Sequence, residues 1–566
     1  MCISAKIKRK SELRLKRSWL LPATLVLSCF LVDCGSGSSP QTPASLSISL
    51  SPTSASIQTL GTQQFNAVVS GATDTGVTWQ VSGTKGGNST VGTITADGLY
   101  SAPGVVPNPA SFSVTAIADA DPTKTASAQV TITARTQVQI VSVEGNAPNQ
   151  GSCSPPLPPT GKTLGQNLLI SSTGRYVLFG VSWVDAGGFG GSGTFYCIRD
   201  TCIGGPNSCN PQSLGLGGAY SGDDPPSIGQ TTIGGMSADA CFVGESWYFD
   251  DLMNPPNGFT TLAATGVAGC PNGQGDLLPV SYSAPSVSAS GRFYEFTDGS
   301  TIFVRDSCAG AGSGCVPANV WTSQFGSVGN QEIAAEGRYV VFESANSTLV
   351  PNDTNGVQDI FLIDTCVGAP AGCVSQATRV SVSTDGQQAN GASSLGAITP
   401  DGRFVTFVSS ASNLVPDDTN SADDIFVRDT CTGAPAACSP STYRVSVASD
   451  GSQSSGPSGF TTNSPSISAD GRYVAFASSA NNLVVSDTND FADIFVRDTC
   501  VGASNCNPTT IRVSLAHDDS EANADSTGCT ISADGNYVSY TSAATNIVPN
   551  SIGASSNAFL VKVQWP

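Results

Sequence analysis

Histidine, charged residues and long apolar runs are all scarce in this 566-residue chain. Only 12% of its residues are charged, and His517 is its single histidine. Because His517 lies in a predicted surface turn, the sequence favours neither a histidine-bearing catalytic triad nor a histidine-ligated zinc site. The chain also lacks a Gly-x-Ser-x-Gly nucleophile elbow and a phosphate-binding glycine loop followed by a helix. Paired carboxylates do occur, so a lyase or hydrolase that uses acidic residues is still an open alternative.

The pattern of the apolar residues favours strands throughout. These residues come in short β-branched or aromatic runs bounded by Gly, Asp, Asn and Pro, whereas a helical protein usually carries more Glu, Lys and Leu. Glycine alone contributes 61 residues. We therefore predict an all-β protein that is long enough for two or three domains.

The charge that is present is strongly negative. The formal net charge is −19, and the first 33 residues hold seven of the 24 Lys and Arg but only two of the 43 Asp and Glu. The rest of the chain is therefore more acidic still. Such a surface repels phosphate backbones and anionic membranes, so we predict no nucleic-acid partner and no electrostatic binding to a membrane.

The N-terminus has the pattern of an export signal. A basic segment precedes an apolar stretch at 19–32, which is short for a bilayer span, and Cys34 then opens a Gly/Ser/Pro linker. This order resembles a bacterial lipoprotein signal and implies a mature chain that begins at lipidated Cys34. Asp33 departs from the small residue that the family has there, and Cys29 is an alternative site. We expect a signal at 1–34, a flexible linker at 35–43, and a lipid anchor at the outer membrane or cell surface, or otherwise a periplasmic or secreted protein.

The cysteines agree with export, because most of them form closely spaced pairs. In an exported chain such pairs are most simply disulfides, and a metal site is a weak alternative with one histidine available. The five pairs are Cys202/Cys209, Cys308/Cys315, Cys366/Cys373, Cys431/Cys438 and Cys500/Cys506. The sequence does not pair the remaining Cys153, Cys197, Cys241, Cys270 and Cys529.

Residues 44–135 read as a first domain of short alternating strands. Trp79 lies in a central predicted strand and is expected to fill the core. The segment resembles the bacterial immunoglobulin-like (BIG2-type) domains of surface proteins, down to the run Thr-Ala-Asp-Gly-Leu-Tyr-Ser-Ala-Pro at 95–103. The resemblance implies an immunoglobulin-like β-sandwich, here without the inter-sheet disulfide because the segment has no cysteine.

Residues 136–566 repeat one unit, which is the strongest signal in the sequence. Three copies align closely, with second segments that begin at Arg338, Arg403 and Arg472 and third segments of the type Asp-Ile-Phe-Val-Arg-Asp. Weaker copies begin near Ser171, Ser237, Ser288 and Ser532, which gives seven units in all.

Each unit reads as four strands. The first ends at an Asp-Gly turn, whose glycine supplies the positive φ of a tight hairpin. The fourth is expected at Arg-Val-Ser-Val, residues 379–382 and 444–447, and each cysteine pair falls between the third and fourth strands. The Ser-x-Asp-Gly-Arg-x-Val-x-Phe pattern resembles the TolB-like, WD40-like (PD40) β-propellers of bacterial envelopes, and implies a propeller of seven blades, or six if the unit near Ser237 is not one.

The two ends of the repeat region predict how a propeller would close. Residues 138–143 match a fourth strand but precede the first unit, and the last unit ends after three strands. We therefore expect the early strand to complete the last blade and to remove the open edges of the ring.

Polar loops recur between the second and third predicted strands and allow two interpretations. Oxygen-bearing residues at positions 1, 3 and 7 resemble part of a calcium loop that lacks its terminal Glu. Alternatively, Asp and Asn cap these turns with their own side chains. The candidate calcium ligands are Asp353, Asn355, Asp359, Asp418, Asn420, Asp424, Asp487, Asn489 and Asp493. No other cofactor is predicted.

Charged residues at the predicted strand ends favour a structural role. Asp364, Asp429 and Asp498 end third strands, with Arg428 and Arg497 just before two of them. Ion pairs from blade to blade are favoured over a functional ring of charges. The Asp-Gly-Arg tripeptides at 401–403 and 470–472 recur at a hairpin turn, which favours structure over adhesion.

Aromatic residues concentrate where segments 180–194 and 241–281 interrupt the repeat. In irregular loops such residues are often binding anchors, although they also fill gaps where regular strands are lost. The binding candidates are Trp183, Phe189, Trp247, Tyr248, Phe249 and Phe259.

Together these patterns favour a non-enzymatic binding or scaffolding protein of the bacterial cell envelope. The resemblance implies a propeller face that recognises a protein, peptide or glycan, with the first domain as a spacer. One alternative is a polysaccharide lyase or hydrolase that uses acidic residues on that face. Another is a calcium-stabilised structural surface protein. No catalytic residue is predicted.

Overall fold

The protein is all-β. The computed structural model describes residues 45–133, 137–141, 161–184, 192–205, 209, 211–216, 231–249, 257–265, 267, 270, 276–278, 283, 285–459, 465–549 and 556–565. Within these ranges the one helical element is the single 3-10 turn Ala335–Gly337.

Residues 45–133 form three small antiparallel-rich sheets. The first pairs Ser47–Ser51 with Asn66–Ser70. The second has the order Ser54–Gln58, Thr125–Thr133, Ser111–Ala118, Val77–Val81 and Thr84–Lys85, and the third the order Thr62–Gln64, Leu99–Ser101, Gly92–Ile94 and Gly87–Asn88.

These three sheets enclose one core, because every second residue of their longer strands is apolar and points inward. Phe65, Tyr100 and Val114 are fully buried in it. Trp79 also lies in this core, as the sequence predicts, and its Nε1 donates a hydrogen bond to the Ala96 carbonyl at 3.1 Å. The indole therefore buries its ring and still satisfies its one polar group.

The rest of the described chain forms seven four-stranded antiparallel sheets. In order of sequence, with strands one to four of each, they are sheet 1 (Gly161–Ile170, Tyr176–Val184, Ser192–Asp200, Gln212–Leu216), sheet 2 (Thr231–Met236, Phe242–Phe249, Asn257–Ala264, Asp276–Leu278), sheet 3 (Ser286–Val287, Phe293–Thr297, Thr301–Asp306, Ala318–Gln324), sheet 4 (Gln331–Ala334, Tyr339–Ser344, Asp359–Asp364, Gln376–Arg379), sheet 5 (Ser393–Ile398, Phe404–Ser409, Asp424–Asp429, Ser441–Arg444), sheet 6 (Ser466–Ile467, Tyr473–Ser478, Asp493–Asp498, Thr509–Arg512) and sheet 7 (Ser526–Ile531, Tyr537–Ser542, Asn557–Lys562, Gln137–Ile140). The divergent unit near Ser237 is therefore one of the seven.

Sheet 7 takes its fourth strand from the segment before sheet 1, which is the pairing that the sequence predicts. Gln137–Ile140 pairs antiparallel with Asn557–Lys562, with Gln137 opposite Lys562 and Ile140 opposite Phe559. The outer edge of the last sheet is thus covered by a strand from the start of the repeat region.

The fourth strands of sheets 4 and 5 lie earlier than predicted. The strand of sheet 4 is Gln376–Arg379, so Arg379 ends it rather than begins it. Residues 380–392 instead form a hairpin, with Val382 bridged to Gln388. The Thr384 hydroxyl in this hairpin accepts from the Thr442 N–H at 3.0 Å and donates to its carbonyl at 3.2 Å. The predicted strand residues therefore belong to a cap on the outer strand of the next sheet.

Neighbouring sheets share apolar cores. Val341 of sheet 4 packs in one cluster with Phe407 of sheet 5. Sheets 1 and 7 are joined in the same way, because Phe179 packs in one cluster with Leu560. The first and last sheets of the sequence are therefore neighbours in space.

The alternating strand direction gives every sheet two different ends. The turns between strands one and two and the loops between strands three and four lie at one end, which we call the turn end. The loops between strands two and three and the connections to the next sheet lie at the opposite end. The N-terminal sheets contact the hairpin that connects sheets 6 and 7, where the Val106 N–H donates to the Asp518 carbonyl at 2.9 Å and the Thr59 hydroxyl donates to the Asp519 carboxylate.

Candidate functional site

In the turn between strands one and two, one carboxylate oxygen of the acidic residue accepts hydrogen bonds from other residues of the turn. In sheet 5, the Thr399 hydroxyl and the Arg403 N–H donate to Oδ1 of Asp401 at 2.5 and 3.0 Å. Gly402 follows with a φ of +81°, a conformation that glycine adopts without a steric penalty. Oδ2 of the exposed Asp401 accepts no hydrogen bond within the described part of the chain.

Main-chain hydrogen bonds join these turns to one another. The second residue of one turn donates its N–H to the carbonyl of the second residue of the next turn. The pairs observed are Ser172 to Ala238, Ala238 to Ala289, Ala335 to Pro400, Ala469 to Ala533 and Ala533 to Ser172, at 2.7 to 3.1 Å. The last of them joins sheet 7 to sheet 1. In these five pairs, the turns of neighbouring sheets are therefore in direct contact through a main-chain hydrogen bond.

Five of these turns carry an exposed carboxylate, and we call the set the carboxylate collar. Its members are Asp239, Glu336, Asp401, Asp470 and Asp534. The Glu336 carboxylate reaches back to sheet 3, where it accepts from the Ser288 hydroxyl and the Ser290 N–H, both at 3.2 Å. The collar gathers like charges without an ion pair to a described Lys or Arg side chain, so it attracts positively charged groups.

An arginine follows each of five turns and is held on two sides. Each guanidinium stacks on the aromatic ring of the next residue, 4.6 to 5.1 Å from its centroid, and pairs with the aspartate that ends strand three. These turn arginines are Arg175, Arg292, Arg338, Arg403 and Arg472, with the partners Asp200, Asp306, Asp364, Asp429 and Asp498 at 2.7 to 3.1 Å.

These ion pairs correct the prediction that strand-end aspartates pair from blade to blade. They form within one sheet, because antiparallel pairing sets the start of strand two opposite the end of strand three, as with Phe404 and Asp429. Arg428 and Arg497 have another role. Their guanidinium groups donate to the Ser383 and Ala448 carbonyls of the preceding connection, at 3.1 and 3.0 Å, so they link sheets through carbonyl oxygens.

The paired aspartates also shape the disulfide loops at the turn end. In sheet 5 the Cys431 N–H donates to Asp429 Oδ1 at 2.8 Å. The structure joins Cys202–Cys209, Cys308–Cys315, Cys366–Cys373, Cys431–Cys438 and Cys500–Cys506, with Cα–Cα distances of 5.6 to 5.7 Å. Each bridge closes the loop after strand three, where the sequence places it.

A groove of about 570 Å³ opens at the turn end, beside the collar. It is lined by Arg292, Phe293, Ala335, Glu336, Arg338, Tyr339, Val367, Gly368, Asp401, Thr432 and Gly433, from sheets 3 to 5. The hydrogen bond from Arg292 lowers the pKa of Asp306, so this pair remains charged at neutral pH. The groove therefore combines guanidinium donors and carboxylate acceptors with Gly368 and Gly433 of two disulfide loops.

The loops between strands two and three hold an arginine among their carboxylates. In sheet 5, Arg444 Nη1 lies 3.0 Å from Asp418 and 2.9 Å from Asp424, and Asn420 donates its amide to Asp424 at 3.0 Å. Sheets 4 and 6 repeat this arrangement around Arg379 and Arg512. A guanidinium thus sits where the calcium interpretation needs an ion, which favours the turn-capping interpretation.

The structure describes the backbones of five of the six aromatic binding candidates. Phe189 lies outside the described residues. The backbones of Trp183, Trp247, Tyr248, Phe249 and Phe259 lie in strands of sheets 1 and 2, so they do not lie in irregular loops as expected. The description does not extend to their side chains.

Further cysteines have assignments that the sequence could not give. Cys241 and Cys270 form a disulfide across 29 residues of sequence, and Cys197 is disulfide-bonded as well. Cys529 is a buried free thiol, whose pKa burial raises to about 12, so it stays protonated. The lipidation candidates Cys34 and Cys29, and also Cys153, lie outside the described residues.

In the described part of the chain, no helix has the length and apolar character needed to cross a membrane. The disulfides indicate folding in an oxidising compartment, as for an exported protein.

Comparisons with known proteins give little more than the fold class. No protein-family model matches the chain, and no curated protein matches it. Among solved structures, the tricorn protease is 12% identical over 66% of this chain and 41% of its own, with a TM-score of 0.31, so this chain spans less than half its length. A eukaryotic initiation factor is 10% identical (72% and 89% covered, TM-score 0.33), and Hsv2 of Kluyveromyces lactis is 9% identical (71% and 98%, TM-score 0.33). These similarities are too weak to assign an activity.

Proposed function

We propose that this protein is a non-enzymatic binding protein of the bacterial cell envelope, and that its turn end recognises a segment of another protein rich in Lys or Arg. The observation that carries the proposal is the carboxylate collar beside an open groove at the turn end of the sheets. Rings of exposed carboxylates steer and hold cationic partners.

The architecture proposed for this function is a closed seven-bladed β-propeller behind an immunoglobulin-like sandwich. Closure is supported by the Ala533–Ser172 hydrogen bond, by the apolar cluster that sheets 1 and 7 share, and by the strand Gln137–Ile140 in the last sheet. A closed ring would hold the collar carboxylates in fixed positions, which lowers the entropic cost of binding.

The disulfides support export, and the N-terminal sequence supports a lipid anchor at Cys34. A lipid at this position would tether the N-terminal domain through the 35–43 linker.

The hydrolase alternative has less support. A glycosidase needs two carboxyl groups that both touch the substrate. Burial raises the pKa of Glu295 well above its ordinary value, but this carboxyl group is fully buried and so cannot reach a polysaccharide. We therefore do not propose an enzymatic activity.

The test is an envelope pull-down with the full exported chain as bait, in parallel with a collar-neutral variant. That variant carries Asp239→Asn, Glu336→Gln, Asp401→Asn, Asp470→Asn and Asp534→Asn, because an Asn side chain keeps the oxygen that caps the turn. The matched control is Asp385→Asn with Asp450→Asn, two exposed aspartates in the hairpins that cap the outer strands of sheets 5 and 6, outside the collar. A partner retained by the wild type and the control, and lost from the collar-neutral variant below about 100 mM salt, supports the proposal. Equal retention by all three proteins contradicts it.

A further inference from the structure

Three hairpins of the same form follow sheets 4, 5 and 6. In each turn, the N–H of the first residue donates to the carbonyl of the fifth at 2.9 Å, and the N–H of the fourth donates to the carbonyl of the first. These turns occupy residues 383–387, 448–452 and 516–520, and we call them the first, second and third hairpin. Because their hydrogen bonds are the same, differences in sequence between them reflect what each hairpin contacts.

An arginine and a threonine of the following sheet hold each of the first two hairpins. Arg428 of sheet 5 donates to the Ser383 carbonyl at 3.1 Å and to the Thr442 hydroxyl at 3.0 Å. The Thr442 hydroxyl donates in turn to a main-chain carbonyl beside the first hairpin. Sheet 6 holds the second hairpin in the same way, through Arg497 and Thr510. Each of these two hairpins is therefore tied to the sheet that follows it.

Sheet 7, which follows the third hairpin, has apolar residues at both positions. Its strand pairing sets Val561 and Val138 where sheet 5 has Arg428 and Thr442. A valine side chain neither donates nor accepts a hydrogen bond, so these positions of sheet 7 cannot hold a hairpin as sheets 5 and 6 do. The third hairpin therefore needs a different partner.

The N-terminal domain supplies this partner. The Val106 N–H donates to the Asp518 carbonyl at 2.9 Å, and the Thr59 hydroxyl donates to the Asp519 carboxylate. Thr59 is 2% exposed and Asp519 is 8% exposed, so the hydroxyl and the carboxylate meet away from solvent. A hydrogen bond to a charged group is stronger than one between neutral groups, and burial makes its loss more costly.

Asp519 stands where the first two hairpins have Gly386 and Gly451. All three residues have a left-handed backbone, with φ values of +66°, +85° and +88°. This conformation suits glycine and is unfavourable for a residue with a Cβ. A Cβ at either glycine would meet no atom within 4 Å, whereas the Asp519 side chain reaches Thr59. The unfavourable residue thus occurs in the one hairpin of the three where its carboxylate contacts the N-terminal domain.

We propose that the third hairpin is a latch that fixes the N-terminal domain to the seven sheets, and that the contact between Asp519 and Thr59 closes it. The last strand of the domain ends at Thr133, and the strand that completes sheet 7 begins at Gln137. The latch therefore holds the chain just before this strand. The N-terminal domain is a fixed part of the assembly rather than a spacer that swings freely, and this role is independent of partner binding at the collar.

The experiment measures amide hydrogen exchange in the full exported chain, with the Val106 N–H as the reporter because it donates across the contact. The key variant is Asp519→Gly, which restores the residue of the other two hairpins and so keeps the turn. It is expected to lower the protection of the Val106 N–H about tenfold or more, the effect of losing a hydrogen bond to a charged group. Thr59→Val should act similarly, and it should add little in the Asp519→Gly background because both changes remove one contact.

The matched control is Asp518→Asn, which changes the neighbouring carboxylate but keeps the carbonyl that holds Val106. A second reporter is the Ala102 N–H, which donates to the Gly61 carbonyl at 2.8 Å within the N-terminal domain and should stay protected in every variant. Unchanged protection of Val106 in Asp519→Gly overturns the proposal. An equal loss in Asp518→Asn also overturns it, because the contact would then not depend on Asp519. A parallel loss at Ala102 overturns it as well, since Asp519 would then support the fold of the domain rather than its attachment.

Discussion

At the scale of single residues, the buried arginines of the loops between strands two and three show how an acidic β-protein keeps carboxylates inside. Arg444 is 10% exposed, and its partners Asp418 and Asp424 are 4% and 0% exposed. Burial raises the pKa of Asp418, while the Arg444 charge lowers it. The guanidinium thus places a positive charge beside two carboxylates in the interior.

Removing this guanidinium should be costly. We expect Arg444→Met to lower the free energy of unfolding by about 3 to 5 kcal/mol, because it leaves two buried carboxylates unpaired. The matched control is Arg472→Met, which breaks an ion pair whose arginine is 28% exposed and should cost about 1 kcal/mol. Urea unfolding of both variants measures the difference, and equal losses would show that burial does not set the strength of these pairs.

A second residue-scale prediction concerns pH. The folded pKa of Glu332, about 7, lies above the ordinary value of 4.5, so the folded state holds this proton more tightly than the unfolded state does. Its stabilising contribution is complete below pH 4.5 and is lost as the pH rises through 7, on the order of 2 kcal/mol. In EDTA, Glu332→Gln should therefore flatten the fall in unfolding free energy between pH 4.5 and 7. An unchanged slope would assign the pH dependence to other groups.

At this scale, the sequence predicted structure correctly where the chemistry of a residue type restricts the structures that it can form. Paired cysteines and the positive-φ glycine of the Asp-Gly turn are such cases. Glu295 was missed although a signal exists, since it breaks the apolar pattern of strand two in sheet 3. The Cys241–Cys270 disulfide was out of reach, because 29 residues of sequence separate its ends and only the fold brings them together.

At the scale of elements, the turn between strands one and two packs on the preceding sheet. The aromatic residue that begins strand two lies directly against the glycine of the next turn. These contacts are Phe242–Gly291, Phe293–Gly337, Tyr339–Gly402, Phe404–Gly471, Tyr473–Gly535 and Tyr537–Gly174. Any side chain at the glycine would collide with the ring, so the Asp-Gly step serves sheet packing as well as turn geometry.

The contributions of turn geometry and of sheet packing can be separated by comparing two glycines with similar backbone conformations. Gly471 has a φ of +76°, and a Cβ there would lie 2.2 Å from the Phe404 ring, whereas Gly451, with a φ of +88°, has open space around it. We expect Gly451→Ala to lower the free energy of unfolding by about 1 kcal/mol, because alanine adopts the left-handed backbone conformation less readily than glycine does. Gly471→Ala should lower the free energy of unfolding by roughly 2 kcal/mol more than Gly451→Ala does, because the Phe404 ring must move. Chemical denaturation compares the two, and similar losses would mean that the collision is relieved by small shifts.

The fourth strand is the element that sequence reasoning placed wrongly, and its polarity explains the error. The strand Gln376–Arg379 is polar and lies at the outer edge of sheet 4, whereas the buried Val380 and Ser381 follow it. An apolar alternating pattern marks buried residues, and here these belong to the hairpin that caps the next sheet. Outer strands supply little core, so their sequences carry a weak pattern.

At the scale of the whole molecule, the repeat made the number of sheets and their strand order predictable, because each unit repeats one hairpin pattern. The positions of the N-terminal sheets and the groove were not predictable, since they depend on contacts between units. The contact of Val106 with Asp518 joins residues far apart in sequence, for example. The collar required both kinds of information: the repeat supplies its aspartates, and the hydrogen bonds between turns bring them together.

The strand Gln137–Ile140 is the one element that connects the beginning of the repeat region to its end, so its inward face should control the stability of the whole assembly. Val138 and Ile140 pack against the core of sheet 7, while Gln137 and Gln139 alternate with them on the other face. We expect Val138→Asp with Ile140→Asp to cost about 3 kcal/mol or more, since charges would enter an apolar core, and to expose the edge strand Asn557–Lys562 to aggregation. Gln137→Asp with Gln139→Asp is the matched control and should change stability by less than about 1 kcal/mol. Thermal unfolding with light scattering measures both effects. If the two double variants unfold and aggregate alike, the stability of the seven sheets does not depend on this strand, and the contacts between sheets 1 and 7 alone join the two ends of the repeat region.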